Sequence, residues 1–163
     1  MKSAKEDILQ HIEENKNLIF KVVNAYSYYP EEQEDLIQEI IINLLKSYEK
    51  FDHAVKITTW MYKIAFNVVI SYNRKIKTQE KYFVPLKEKL VHIQEENKTE
   101  ENENIKKLNQ FIQELKPLNK AIMIMYLDNK THQEIAAVLG ISETNVGTKI
   151  NRIKKELKKK FKK

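Results

Sequence analysis

The sequence predicts an all-α protein of two small helical domains joined by an acidic linker, and three observations support this. Glycine (2) and proline (3) are too scarce among 163 residues for the many tight turns of an all-β chain. Apolar residues recur at spacings of three and four, the period of a helix face. A polar stretch interrupts them: residues 95–103 hold five Glu and one Lys. Such a stretch has too little apolar surface to offset the entropy of ordering it, so it reads as a flexible linker. The expected division is residues 1–78, a linker over 79–105 that contains Pro85, and residues 106–163.

In the first block, Leu18, Ile19, Val22, Val23 and Tyr26 form one helical stripe. Tyr28-Tyr29-Pro30 ends it, because a residue before proline is pushed out of the helical region. A second helix follows, with Leu36, Ile37, Ile40, Ile41, Leu44, Leu45 and Tyr48 on its buried side. Glu31, Glu32, Glu34 and Asp35 stand at its start, where the helix dipole favours acids. Asp35, Gln38, Glu39 and Ile42 share the opposite face at spacings of three, four and seven. An acidic rim with an aliphatic centre suits a basic partner helix.

Residues 51–57 read as a loop. Thr58 or Thr59 can then cap a third helix over 60–77. Trp60, Met61, Ile64, Ala65, Val68 and Tyr72 suit its buried side. Tyr62 or Lys63, Phe66, Asn67, Ile70 and Arg74 form the opposite stripe. Lys63, Arg74, Lys75 and Lys77 can pair with phosphates. Aromatics interleaved with bases suit unstacked single strands, since every base offers a π-face.

The last block opens with a helix over 105–115. Pro117 starts the next, with Ile122, Met123, Met125 and Tyr126 toward a core. Thr131-His132-Gln133-Glu134 has the form of a capping box before the short apolar run Ile135, Ala136, Val138, Leu139. Gly140 supplies a left-handed residue at its end. Ser142 can cap a further helix, while Ile141 and Val146 occupy the positions of a hydrophobic staple. Val146, Ile150, Ile153 and Leu157 make the buried stripe of that helix. This is the pattern of a helix-turn-helix. Glu143, Thr144, Asn145, Thr148, Lys149, Asn151 and Arg152 are left to face outward, able to reach base edges and phosphates. Gly147 sits inside this helix, where it costs about 1 kcal/mol relative to Ala.

Charge agrees with a nucleic-acid partner. The chain carries a formal +6, and residues 149–163 hold nine Lys or Arg against one acid, Glu156. Several classes are disfavoured. The absence of cysteine excludes disulfides and thiol redox chemistry. The start of the chain lacks the apolar stretch of a signal peptide, and no apolar run approaches membrane-span length, so a cytoplasmic protein without membrane insertion is expected. His11, His53, His92 and His132 are scattered, and no Gly-rich phosphate loop, His-Glu-x-x-His pair or nucleophile motif exists. Asp35 and Glu39, one turn apart, are a weak metal pair at best. No catalytic residue, metal or cofactor is expected.

Taken together, Asp35-Leu36-Ile37-Gln38-Glu39-Ile40, then Thr59-Trp60-Met61-Tyr62-Lys63-Ile64-Ala65-Phe66-Asn67, then a helix-turn-helix after an acidic linker resembles the sigma-70 family of bacterial RNA polymerase sigma factors, in its extracytoplasmic-function group. The resemblance implies that residues 1–78 correspond to sigma region 2 and residues 106–163 to sigma region 4, a winged-helix-like domain. It implies that Asp35, Leu36, Gln38, Glu39 and Ile42 dock on the clamp helices of the polymerase's largest subunit, with the flap as a further contact. Phe51, Lys56, Trp60, Tyr62, Lys63, Phe66, Asn67, Ile70, Arg74 and Lys75 would grip the melted minus-10 element, with Asn67 and the 51–57 loop holding a flipped base. Thr131 and the outward row of the last helix would bind the minus-35 element. Relatives often place a basic residue where Gly147 stands. The family also implies a chain that is monomeric when free, and commonly an anti-sigma partner. A helix-turn-helix regulator that works without polymerase is the alternative; it would leave the motifs of the first block without a role.

Overall fold

The computed structural model describes residues 2–80 and 103–162, with side chains throughout except at 77–80. The expected linker lies largely outside the described residues. Those residues form eight α-helices, α1 (Ala4–Glu14), α2 (Lys16–Tyr26), α3 (Pro30–Ser47), α4 (Ile57–Glu80), α5 (Glu103–Glu114), α6 (Pro117–Leu127), α7 (His132–Leu139) and α8 (Glu143–Phe161), with a 3-10 turn at Tyr48–Lys50. No strand occurs among them, so the helix-turn-helix stands without a wing.

The first region is a bundle of α1 to α4. Its core joins Ile8 and Ile12 of α1 to Ile19, Val22 and Val23 of α2, Leu36, Ile40 and Leu44 of α3, and Met61, Ala65 and Val69 of α4. The helix α1 is absent from the sequence expectations. Its signals are the capping box Ser3–Glu6 and the pair Ile8/Ile12, one turn apart. Pro30 begins α3 at a position where its missing N–H costs nothing. The start of α4 differs from expectation too. The helix begins at Ile57, so Thr58 and Thr59 lie in its first turn rather than at its cap.

The second region packs α5 to α8 around α6. Residues Lys120 to Met125 of α6 are buried in succession, because α2 and α4 cover one side and α7 and α8 another. Within the helix-turn-helix, Thr131 accepts from the Glu134 amide and Glu134 answers at the Thr131 amide. Gly140 takes φ 69°, closing α7 in the left-handed region. Ser142 then caps α8 by accepting from the Asn145 amide. Ile135, Ala136, Val146 and Ile150 clamp the two helices together.

The two regions share one large core, beside a smaller cluster of Phe111, Met123 and Ile153 in the second region, and a set of polar bonds. Lys120 is only 7% exposed; its ammonium donates to the Ala25 carbonyl at 2.9 Å and lies 5.2 Å from the Tyr26 ring. That carbonyl belongs to the C-terminal end of α2, the negative end of the helix dipole, which offsets part of the cation's desolvation. The Tyr26 hydroxyl donates to the Pro117 carbonyl, and the Tyr28 hydroxyl to that of Gln113.

Candidate nucleic-acid interface

The outer face of α8 is open. Glu143, Thr144, Asn145, Thr148, Asn151 and Arg152 are exposed and Lys149 is half-buried. Thr131 is exposed as well, at the cap of α7. The inner stripe holds the helix in place, with Val146, Ile150 and Ile153 buried and Leu157 partly so. Thr148 is tied to its own helix, its hydroxyl donating to the Thr144 carbonyl at 3.0 Å. Lys154 reaches back over the Tyr126 ring, 4.6 Å from its centroid. The remaining side chains form a polar row on a rigid helix, free to meet a groove.

On α3, Asp35, Gln38, Glu39 and Ile42 emerge on one side, and Ile42 is 48% exposed. An aliphatic side chain at the centre of an acidic face is an open contact surface. Leu36 does not belong to it. It is 1% exposed and packs in the first region's own core, because its position in the helical period places it on the inner stripe. The expectation of a docking role for Leu36 is corrected accordingly.

The face expected on α4 divides. Lys63, Asn67, Arg74 and Lys75 are exposed, Ile70 is half-buried, and Lys56 is exposed on the loop before the helix. Trp60 is half-buried against Phe51, ring centroids 4.9 Å apart, in a cluster with Tyr48 and His53. Phe51 is therefore part of the packing beneath the loop rather than an open contact. Tyr62 and Phe66 depart most from expectation: they are 0% and 1% exposed. Their rings stack at 5.6 Å, and Phe66 meets Tyr26 edge-on at 6.2 Å. The physical reason is that α4 packs against α2 and α3 and also against α6 and α7, which widens its buried arc beyond one stripe.

A row of polar contacts covers this part of α4. The Tyr62 hydroxyl donates to Asp128 at 2.7 Å, and Lys21 stands 3.7 Å from the same carboxylate. Thr59 donates to Glu134 at 2.9 Å, and Lys130 donates to Thr58 at 2.6 Å while lying 4.0 Å from Glu134. Burial and the bond to Asp128 push the Tyr62 phenol well above its ordinary range. Burial opposes charge on Glu134, yet hydrogen bonds from Thr59 and Thr131 and the nearby Lys56 outweigh it and lower the carboxyl's pKa. Sequence reasoning missed Asp128, Lys130, Glu134 and Lys120 as contacts between the regions. The one available signal was Lys120, a lone charge beside the apolar run Ala121 to Tyr126.

Of the histidines, His11 and His53 each lie against the Tyr48 ring, His11 also by Asp7 and His53 also by Phe51, and His132 lies by Gly147; His92 falls outside the described residues. Among the described residues no helix is long and apolar enough to cross a membrane.

Comparison with known proteins adds the following. Residues 11–78 match the family Sigma-70 region 2, and residues 105–157 match Sigma-70, region 4. The RNA polymerase sigma factor YlaC of Bacillus subtilis is 27% identical over 157 residues, spanning 92% of this chain and 87% of its own. Among solved structures, the fold resembles the sigma factor RpoE from Bartonella quintana, in complex with the anti-sigma factor NepR. That match has a TM-score of 0.78 at 16% identity and covers 96% of this chain and 97% of the other. It also resembles CnrH in complex with the cytosolic domain of CnrY, at a TM-score of 0.66 and 13% identity, covering 95% and 87%.

Proposed function

This chain belongs to the sigma-70 family and is an RNA polymerase sigma factor of the extracytoplasmic-function group, and from that premise we propose how its surfaces divide the work. Residues 1–78 act as the unit that holds core polymerase and opens DNA, and residues 106–163 as the unit that reads the upstream promoter element, with 79–105 joining them. Asp35, Gln38, Glu39 and Ile42 dock on the clamp helices of the largest subunit, and the second unit sits at the flap. Lys56, Trp60, Lys63, Asn67, Ile70, Arg74 and Lys75 serve the melted minus-10 element. Thr131, Glu143, Thr144, Asn145, Thr148, Lys149, Asn151 and Arg152 serve the minus-35 element.

The chain contributes binding energy and no bond chemistry. Captured, unstacked bases offset the cost of opening the duplex, and polymerase supplies the catalysis. It acts in the cytoplasm, where polymerase and promoters are. A similar fold solved as a complex with an anti-sigma factor supports an inhibitor of that kind as a partner.

The observation that carries this reading is the pairing, in one chain, of an open helix-turn-helix face with a separate exposed acidic–aliphatic face on α3. Tyr62 and Phe66 join the minus-10 surface only when their cover leaves: α6 and α7 must part from α4, so engagement with polymerase separates the two regions; Phe51 lies under Tyr48, His53 and Trp60 and supports the loop from beneath. The test is a pull-down of bacterial core polymerase with the purified chain, followed by run-off transcription on genomic fragments. Co-purification with promoter-dependent transcripts is expected. A folded chain that binds DNA but not core would instead be a polymerase-independent regulator.

A further inference from the structure

We propose that His132 is a further DNA-contacting residue of the helix-turn-helix, seated on the reading face of α8 by Gly147. The inference rests on the reading of α8 as the upstream-element reader. Residues three and four apart on a helix are surface neighbours, so Gly147 lies among Glu143, Thr144 and Asn151, all exposed. It is one of only two glycines in the chain, and the other closes α7 at a positive φ. No turn or left-handed backbone calls for a glycine at 147.

The space just beyond its Cβ position is filled from the neighbouring helix. A Cβ at 147 would meet the His132 imidazole, with Nδ1 at 3.6 Å and Cε1 at 3.7 Å. These are ordinary van der Waals distances, so an alanine would fit beneath the ring, while a longer side chain would compete for its place. His132 is the first residue of α7, follows its cap Thr131, and is exposed. Thus α7 supplies a side chain to a row in which α8 has a gap. A ring N–H can donate to a phosphate oxygen or to a base-edge acceptor, and the unprotonated ring nitrogen can accept from an exocyclic amine. A long side chain at 147 would claim the ring's seat and turn His132 away from the row. The ligand class is duplex DNA at the upstream element.

The test uses holoenzyme assembled from core polymerase and the full chain, on a promoter fragment recovered by run-off transcription, with affinity measured at fixed salt. His132→Ala is expected to weaken binding by about fivefold to tenfold, the scale of one hydrogen bond. His132→Gln, which keeps a donor and an acceptor, should recover most of that loss. Gly147→Leu should weaken binding in the native background and add little to His132→Ala, because both remove the same seated ring. If His132→Ala stays within twofold of the native chain while Arg152→Ala weakens binding, the role of His132 is refuted and α8 remains the reader. If neither substitution changes affinity, the reading of α8 fails and the inference falls with it.

Discussion

The two helices proposed to meet DNA are presented in opposite ways. On α8 the polar row from Glu143 to Arg152 is mostly open to solvent, and its apolar stripe packs inward against α5, α6 and α7. On α4 the charged residues Lys63, Arg74 and Lys75 are outside, while the aromatic pair Tyr62 and Phe66 lies beneath the second region. One helix offers its polar row without rearrangement. The other holds its two aromatic rings against its own chain. Under the proposed function the same apolar residues would serve two partners in turn, which requires a first contact that is partly polar and can be given up. The bonds from Thr59 to Glu134, Lys130 to Thr58 and Tyr62 to Asp128 have that character.

The largest expected effect tests how much the cover on α4 is worth. Phe66→Ala should cost about 3–5 kcal/mol of unfolding free energy, the range for a buried ring replaced by a cavity. Urea denaturation of the purified chain would read it, and a cost below about 1 kcal/mol would mean the ring is not buried in solution. Asp35→Ala with Gln38→Ala should leave urea stability unchanged and weaken binding to core polymerase about tenfold, ~1.4 kcal/mol. Unaltered holoenzyme formation would remove α3 from the docking surface. On the open helix, Arg152→Ala should lower affinity for upstream duplex by about 1–3 kcal/mol and reduce the salt slope by about one unit. A slope that does not move would take Arg152 out of the phosphate contacts.

The smallest effect concerns the polar rim. The Glu134 carboxyl has a lowered pKa when folded, so its charged form stabilises the contact above the ordinary carboxylate value of 4.5. That contribution is lost as pH falls below 4.5 through the folded value. Glu134→Gln should mimic the loss at neutral pH, by about 1 kcal/mol, and flatten the acid limb of the stability profile. An acid limb identical to that of the native chain would assign the titration elsewhere.

The same contrast explains what the sequence revealed. The helix-turn-helix was legible because its signals are local: the box Thr131–Glu134, the glycine at 140, the cap at Ser142 and a stripe of one period. The outward residues of α8 and the Asp35–Ile42 face of α3 followed from that period as the complement of a buried stripe. The burial of Tyr62 and Phe66 was not legible because α4 packs on two sides, against α2 and α3 and against α6 and α7, and a single period describes only one. Leu36 was misassigned for the opposite reason; its family role overrode its own period. The first-turn placement of Thr58 and Thr59 was not legible either, since both can cap a helix and the choice depends on contacts with Lys130 and Glu134, more than 70 positions away.

The absence of cysteine in the native chain allows a direct test of whether α4 must be uncovered. Thr59→Cys and Glu134→Cys place thiols across the contact, and a short reducible thiol cross-linker would hold the two regions together. The measurement is run-off transcription by core polymerase with the locked chain, before and after reduction. No promoter-dependent transcript is expected while the link is intact, with full recovery once it is cleaved. Equal transcription from the locked and released chain would contradict it.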